Sequence, residues 1–373
     1  MSAVAPLRIG IVGCGNISAA YLTNLTASED VEVVACADEV LERARQRASE
    51  FGVPRACDTE GLLSDPEVEL VVNLTVPTAH AEVSLAALKA GKHVHSEKPL
   101  ATNREDGRQI IDAARRRGLT VSCAPDTFLG AGLQTCLWLL EQGEMGEPLA
   151  ASAFMLQSGP ENWHPNPAIF YGPGAGPLLD MGPYYLTALV CLLGPVRRVS
   201  GMSRILHPEV TIARGPLAGQ TIKVTAPTFV AGLLEFEQGA QAVLLTSFGI
   251  AGHDLPAMQL YGTKAIVEVP DPNAFGGRVR VRPNSEDSTW REVPLSRGPS
   301  ESGRDLRGLG VVDAARAIRS GSQPRASGEL AFHVLDVMLS ILESHEGGRP
   351  VRIASAVSRP ALLPLDARVA GSA

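Results

Sequence analysis

Three stretches of this chain put reactive side chains where chemistry could use them. In His95-Ser96-Glu97-Lys98-Pro99-Leu100 a short apolar run ends, and an acid, a base and a proline follow at once. Lys98 is one of only five lysines (89, 92, 98, 223 and 264) in a chain whose other cations are arginines, so a general preference for lysine does not account for it. The proline fixes its own φ and disfavours helix at the residue before it, which leaves Lys98 extended at a strand's carboxyl end. In an open α/β sheet that edge is where ligands bind. The second stretch is Gly13-Cys14-Gly15-Asn16-Ile17-Ser18. Gly13 permits a tight turn, and Gly15 lets backbone approach a pyrophosphate whose charge meets the helix N-terminus that Asn16 and Ile17 open. Ser18 stands where a third glycine is usual. The third is Asp38-Glu39, which ends the apolar run 31–37 at the distance where a carboxylate meets the adenosine ribose hydroxyls. Negative charge there repels a 2′-phosphate and favours NAD over NADP.

The elements that must hold these groups are legible as alternating runs. Strands are expected at 7–12, 31–37, 69–75, 93–96 and 119–124, with helices at 40–51, 79–90 and 103–117. That alternation reads as a doubly wound parallel sheet. From Val71 to His80 a buried strand gives way to polar residues and a proline on the cofactor edge, which puts Thr75 and Pro77 at the nicotinamide side. Thr78 and His80 either cap the next helix or contact the cofactor. After a helix at 131–142 the composition changes. Segments 149–157, 228–237, 240–248, 257–261 and 265–269 are long and rich in β-branched and apolar residues, as in an antiparallel sheet with one face to cover. Helices return at 309–319 and 327–344, and the polar stretch 284–305 reads as an exposed loop. Two domains are expected, 1–126 for the dinucleotide and 127–373 for substrate and oligomerisation. The loop 161–172 is dense in aromatics and amides. Trp163, His164 and Asn166 suit a sugar, whose C–H patches lie on aromatic faces and whose hydroxyls meet amides; the alternative is a connector with Trp163 tucked into the core.

Composition narrows the partners. A net charge of −7 argues against a broad nucleic-acid surface, and the basic run 115–117 ends a helix, where cations suit the dipole. Six scattered cysteines show no paired spacing and no histidine at metal-ligand distance, so no metal is expected and a reducing cytoplasm is. No uncharged apolar run reaches the ~20 residues of a membrane span.

The GCGNIS turn, the TVPTAH segment, the AALKAGKHV helix end and EKP, colinear over residues 7–125, together resemble the Gfo/Idh/MocA family of NAD(P)-dependent sugar and inositol oxidoreductases. The resemblance implies an N-terminal Rossmann domain and a C-terminal open, mostly antiparallel β-sheet domain flanked by helices. The face of that second sheet is often buried against another subunit, which implies a homodimer or homotetramer. It also implies that Lys98 sits at the nicotinamide and substrate and assists proton transfer, and that Glu97 positions the cofactor or that lysine. Residues 174–185 are similar to the family's GGGxxxDxGxH, which opens a helix bearing an aspartate and a histidine on one face. Asp180 matches the aspartate, but Tyr184 stands in the histidine's place. A free phenol titrates near ~10, and an ammonium such as Lys98 beside it favours the phenolate. Some sugar ketoreductases of the family carry tyrosine here, so Tyr184 is expected to act as the base, with Asp180 binding a substrate hydroxyl or orienting Lys98. The expected reaction moves a hydride between a secondary hydroxyl or keto carbon of a sugar, cyclitol or glycoside and NAD(H). An NAD-dependent glycosidase and a non-catalytic dinucleotide-binding regulator are the other two activities that such a chain can have.

Overall fold

The computed structural model describes residues 5–295, 298 and 305–364. In chain order the first half runs β1 Leu7–Val12, α1 Ser18–Leu25, β2 Val31–Ala37, α2 Leu41–Phe51, β3 Ala56–Cys57, α3 Thr59–Ser64, β4 Leu70–Asn73, α4 His80–Lys89, β5 His93–Ser96, α5 Arg104–Arg117 and β6 Val121–Cys123. The rest comprises α6 Ala131–Glu141, β7 Pro148–Leu156, α7 Pro177–Leu193, β8 Val196–Arg204, β9 Glu209–Thr211, β10 Thr221–Lys223, β11 Phe229–Phe236, β12 Gln241–Ser247, β13 Met258–Gly262, β14 Ala265–Val269, β15 Val279–Pro283, β16 Arg291–Val293, α8 Leu309–Ser320, α9 Gly328–Gly347 and β17 Val351–Arg352.

Strands β1 to β6 form one sheet in the order β3-β2-β1-β4-β5-β6, and every pairing in it is parallel. Its central strands are buried on both faces, which is why LVVN and LRIGIV are near-continuous apolar runs. The helices between them are bounded as their sequences direct. Helix α5 starts where the Asn103 side chain accepts the Asp106 N–H at 2.9 Å and stops at Gly118 in the left-handed region, with Arg115, Arg116 and Arg117 in its last turn.

The chain separates into two compact units, one holding residues 5–131 and 305–335, the other 132–295 and 336–362. Segment 305–335 therefore groups with the first unit, not with the second as the expected boundary at 126 has it. The reason is apolar: Val311, Val312, Ala314 and Ala315 of α8 share a core with Leu7, Ile9, Ile11 and Leu22. Arg316 to Asp30 at 2.8 Å and Arg319 to Glu69 at 3.0 Å pin the same helix from outside.

The second unit is built on a nine-stranded sheet, β16-β15-β14-β13-β7-β12-β11-β8-β17, in which only β7 and β12 run parallel. Helix α7 packs on β7, β11 and β12. Strand β16 lies inside the stretch 284–305 expected to be loop; residues 296, 297 and 299–304 of that stretch lie outside the described residues. Strand β8, with VRRVSGMSR, escapes a hydrophobic-pattern reading because its outward positions carry arginine and serine.

Candidate active site

The turn after β1 is shaped for a dinucleotide. Gly13 has φ +99°, and a Cβ there would come within 2.6 Å of the Leu74 carbonyl carbon, so only glycine lets the β1 turn pass the end of β4. At Gly15 a Cβ would meet no atom within 4 Å, and both Gly15 and Asn16 are exposed. Helix α1 follows from Ile17 with no side-chain cap and no acidic residue in its first turn, which suits an anion at its N-terminus. Ser18 turns the missing third glycine to use. Its hydroxyl donates to Gly15 O at 2.6 Å and accepts from Arg47 Nε at 3.1 Å, which draws a guanidinium from α2 onto the turn. Asp38, at the end of β2, is 7% exposed and accepts the Cys14 N–H at 2.8 Å and the Val40 N–H at 2.9 Å. Each carboxylate oxygen keeps capacity for a ribose hydroxyl. Arg43 Nη1 stands 3.8 Å from Asp38 and Arg45 pairs with Glu42, so neither cation is free of acidic neighbours. Open space at Gly15, a helix N-terminus with no side-chain cap and no acid, and an acceptor at the end of β2 fit NAD.

Lys98 follows β5 on the same carboxyl edge and is half-buried, with the Lys98-Pro99 peptide cis. Its segment is tied from several sides. The Glu97 N–H donates to Asn73 O at 2.8 Å, Glu97 Oε2 accepts the Lys98 N–H at 2.9 Å, and Glu97 Oε1 accepts the Tyr21 hydroxyl at 2.8 Å. Glu97, 8% exposed, thus acts on the lysine's backbone. Thr75 is half-buried and donates its hydroxyl to Asn73 Oδ1 at 2.7 Å, while Pro77 is exposed. His80 corrects the expectation of a cofactor contact. Its ring is 1% exposed, with Nδ1 2.7 Å from Pro99 O and Nε2 3.0 Å from Thr75 O, so both nitrogens face backbone carbonyls. Burial holds its pKa below the ordinary value, against the pull of the two carbonyls and Glu97.

In the second unit Asp180 and Tyr184 lie on α7, which begins with Pro177 after Gly176 and contains Pro183. Tyr184 is buried at 6% exposure and Asp180 half-buried. The neighbouring Tyr185 donates to Asp271 at 3.2 Å. The loop between β7 and α7 holds an aromatic cluster, with Trp163 edge-on to His164 at 5.4 Å and His164 edge-on to Phe170 at 4.9 Å. Trp163 is 60% exposed, which rules out the buried connector. Asn166 is exposed and its N–H donates to His164 Nδ1 at 3.1 Å. Tyr171 OH donates to Glu161 beneath the loop.

Several residues that shape the site escaped the sequence reading. Asn73 is fully buried and serves as a hub, its Nδ2 donating to His80 O at 3.0 Å and to Ser84 Oγ at 3.1 Å. A lone amide in the apolar run VVNL was the available signal. Tyr21, fully buried on α1, gave none, because a tyrosine in an apolar helix face reads as core. Asp126 accepts from Gly308 and Gly310 N–H, both at 2.9 Å, and burial pushes its pKa up to about 6. Among the described residues no three His, Cys, Asp or Glu side chains group as a metal site. No helix among them is long and apolar enough to cross a membrane.

Residues 7–124 match the model of an oxidoreductase family with an NAD-binding Rossmann fold, and residues 133–268 match the GFO/IDH/MocA C-terminal domain. A dTDP-3,4-didehydro-2,6-dideoxy-alpha-D-glucose 3-reductase from Saccharopolyspora spinosa is 31% identical over 85% of this chain and 92% of its own. A trans-1,2-dihydrobenzene-1,2-diol dehydrogenase from Bos taurus is 27% identical over 84% of this chain and 87% of its own. Levoglucosan dehydrogenase, solved with NADH and L-sorbose, shares the fold with a TM-score of 0.82 at 20% identity, covering 94% of this chain and all of that one.

Proposed function

The chain belongs to the Gfo/Idh/MocA oxidoreductase family, and from that premise we propose that Lys98 and Tyr184 manage the proton while a sugar carbon exchanges a hydride with NAD(H). It is an NAD-dependent oxidoreductase of CH–OH groups in sugars. The observation that carries the assignment of Lys98 is the carboxyl edge of the parallel sheet; Tyr184 and Asp180 rest on the match of residues 174–185 to the family's motif. At that edge the Gly13–Ser18 turn after β1 and Lys98 after β5 lie either side of β4, beside the β1–β4 neighbours between which the strand order reverses.

When bound, NAD supplies the hydride acceptor or donor. Gly15 and the α1 N-terminus would hold its pyrophosphate, Asp38 its ribose hydroxyls, and Thr75 and Pro77 would line the nicotinamide side. Tyr184 takes the hydroxyl proton at its phenolic oxygen, Asp180 holds a neighbouring hydroxyl, and Lys98 assists the proton transfer. Trp163, His164 and Asn166 offer the ring face and amides that fit a pyranose or cyclitol. A panel of aldoses, cyclitols, glycosides and a trans-dihydrodiol, read by NADH absorbance, tests this. Turnover of the sugars supports it. Aglycone release with no net NADH would move the chain to redox-assisted glycoside cleavage, and dinucleotide binding without turnover of any kind would make it a regulator.

The outer face of the nine-stranded sheet supports self-association. Met202 is 72% and Leu233 63% exposed there, flanked by Arg197 and Arg198 on Glu235. A homodimer or homotetramer through this face is the proposed assembly, and Leu233→Glu should dissociate it in light scattering. Six unpaired cysteines, five of them buried, suit the cytoplasm.

A further inference from the structure

We infer that Tyr21 of α1 and His80 of α4 are positioning residues that clamp the Lys98 segment from its two sides. The inference deepens the assignment above and rests on Lys98 being the catalytic lysine.

A lysine at the end of a strand has a long, flexible stem, so the accuracy of its ammonium depends on how firmly its backbone is held. Here the backbone on either side of the side chain is tied by a buried group. On the amino side, the Tyr21 hydroxyl donates to Glu97 Oε1 at 2.8 Å, and Glu97 Oε2 takes the Lys98 N–H at 2.9 Å. Tyr21 is fully buried, and burial beside that carboxylate raises its pKa well above the phenol's ordinary value, so it stays a donor. With the hydroxyl gone, Glu97 would be a buried carboxylate one hydrogen bond short and would seek another partner. On the carboxyl side, His80 Nδ1 meets Pro99 O at 2.7 Å and Nε2 meets Thr75 O at 3.0 Å. One ring therefore fills the space between the loop after β4 and the loop after β5, the two that border the nicotinamide in the proposed site. A neutral imidazole donates to only one of the two carbonyls, and the Nδ1–H tautomer serves the shorter contact, to Pro99. Tyr21 also sits in α1, whose N-terminus receives the pyrophosphate in the proposed site, so two hydrogen bonds in series through Glu97 link the dinucleotide helix to the lysine.

Tyr21→Phe keeps the ring and deletes the hydroxyl. With the sugar found by the panel, kcat should fall about 10- to 100-fold, the scale of a 1 Å misplacement, while KM and the NADH Kd by fluorescence stay near wild type. Glu97→Gln should cost a similar factor, and the double variant no more than the worse single, because both break one chain of contacts. His80→Leu should lower kcat, and His80→Gln, which keeps an amide donor for Pro99 O, should restore part of it. With only five lysines in the chain, reductive ¹³C-methylation gives a readout that needs no substrate. In Tyr21→Phe the Lys98 resonance and its titration should move while those of Lys89, Lys223 and Lys264 do not. Wild-type kcat in Tyr21→Phe and His80→Leu, with Lys98→Met inactive, would overturn the clamp and leave Lys98 in place. Full activity in Lys98→Met would remove the premise itself.

Discussion

At the carboxyl edge of the parallel sheet Asn73, His80 and Glu97 are 0, 1 and 8% exposed, and each spends its polar atoms on buried neighbours. In the loop ahead of α7, Trp163 and Ile169 are 60 and 54% exposed, and Asn166 faces solvent. The first region is a network in which moving one group disturbs the rest; the second is a row of side chains held mainly by one another's rings. Hydride transfer to nicotinamide is the same reaction for every sugar, so the groups serving it gain from being fixed. Substrates differ in where their hydroxyls stand, and a loop that packs loosely can change residue by residue without unfolding anything beneath it. Substitutions in the edge should thus act on kcat, and substitutions in the loop on KM.

The harshest test of that division is Lys98→Met. It should lower kcat by ~10²–10⁴, the usual scale of a general acid or base, and leave the NADH Kd within a few-fold, since the Gly15 turn and Asp38 are untouched. If instead dinucleotide affinity collapsed along with the rate, the edge would be a binding device and the division would fail.

Tyr184 comes next, and it belongs with the edge in behaviour although it sits in the other unit. Its ring is buried at 6% exposure within α7, so Tyr184→Phe should keep the fold and lower kcat by ~10². Because a free phenol titrates near ~10 and a free imidazole near ~6.5, the limb on which the oxidation rate rises with pH should lie above that of a histidine base. Tyr184→His should recover some rate and bring the limb towards neutrality. An unchanged profile in Tyr184→Phe would pass the role to His164.

The same contrast separates what the sequence disclosed from what it hid. The Gly13 turn, Asp38 and Lys98 were legible because each interrupts an apolar run at a strand's carboxyl end, where chain direction alone fixes the location. Alternation of strand and helix gave the parallel sheet, and segment 305–335 was misplaced because α8 carries an ordinary amphipathic pattern that does not say which core it joins. Tyr21 was invisible for a similar reason: pattern distinguishes inside from outside, but not which buried hydroxyl meets which buried carboxylate 76 residues away. For His80 the sequence leaves helix cap and cofactor contact open, and the buried ring instead meets Pro99 O, which nothing local in TVPTAH reveals.

Trp163→Ala probes the loop side of the comparison with a smaller effect. Removing one exposed ring that stacks on a sugar should raise KM about three- to tenfold, ~0.5–1.5 kcal/mol, with kcat little altered. A large loss of kcat with KM unchanged would mean that the loop shares the rigidity of the edge.

The smallest effect concerns stability alone and asks whether pH sensitivity is confined to the first unit, where the buried histidines and Asp126 lie. The buried tyrosines of the second unit, Tyr171 and Tyr185, are pushed up by burial and by Glu161 or Asp271, and stay neutral through the acid range. In the first unit two groups oppose each other. Burial raises Asp126 from 3.8 to about 6, so between those values the native state holds one proton more than the unfolded state. Its contribution is complete below the unfolded value and is lost as pH rises through the native one. Burial lowers His95 from 6.5 to about 3, so across the same window the unfolded state holds the extra proton and stability rises with pH. His80 and His93 are lowered too and add to that rise. Asp126→Asn keeps an oxygen for the Gly308 and Gly310 N–H groups and removes the falling arm. Urea unfolding at steps of about half a pH unit should then show stability climbing from pH ~4 to ~6 more steeply than wild type, by ~1.4 kcal/mol per pH unit for the one proton removed. Parallel curves for the two proteins would mean that Asp126 does not titrate in this window, and that its carboxylate is ionised against the α8 N-terminus throughout.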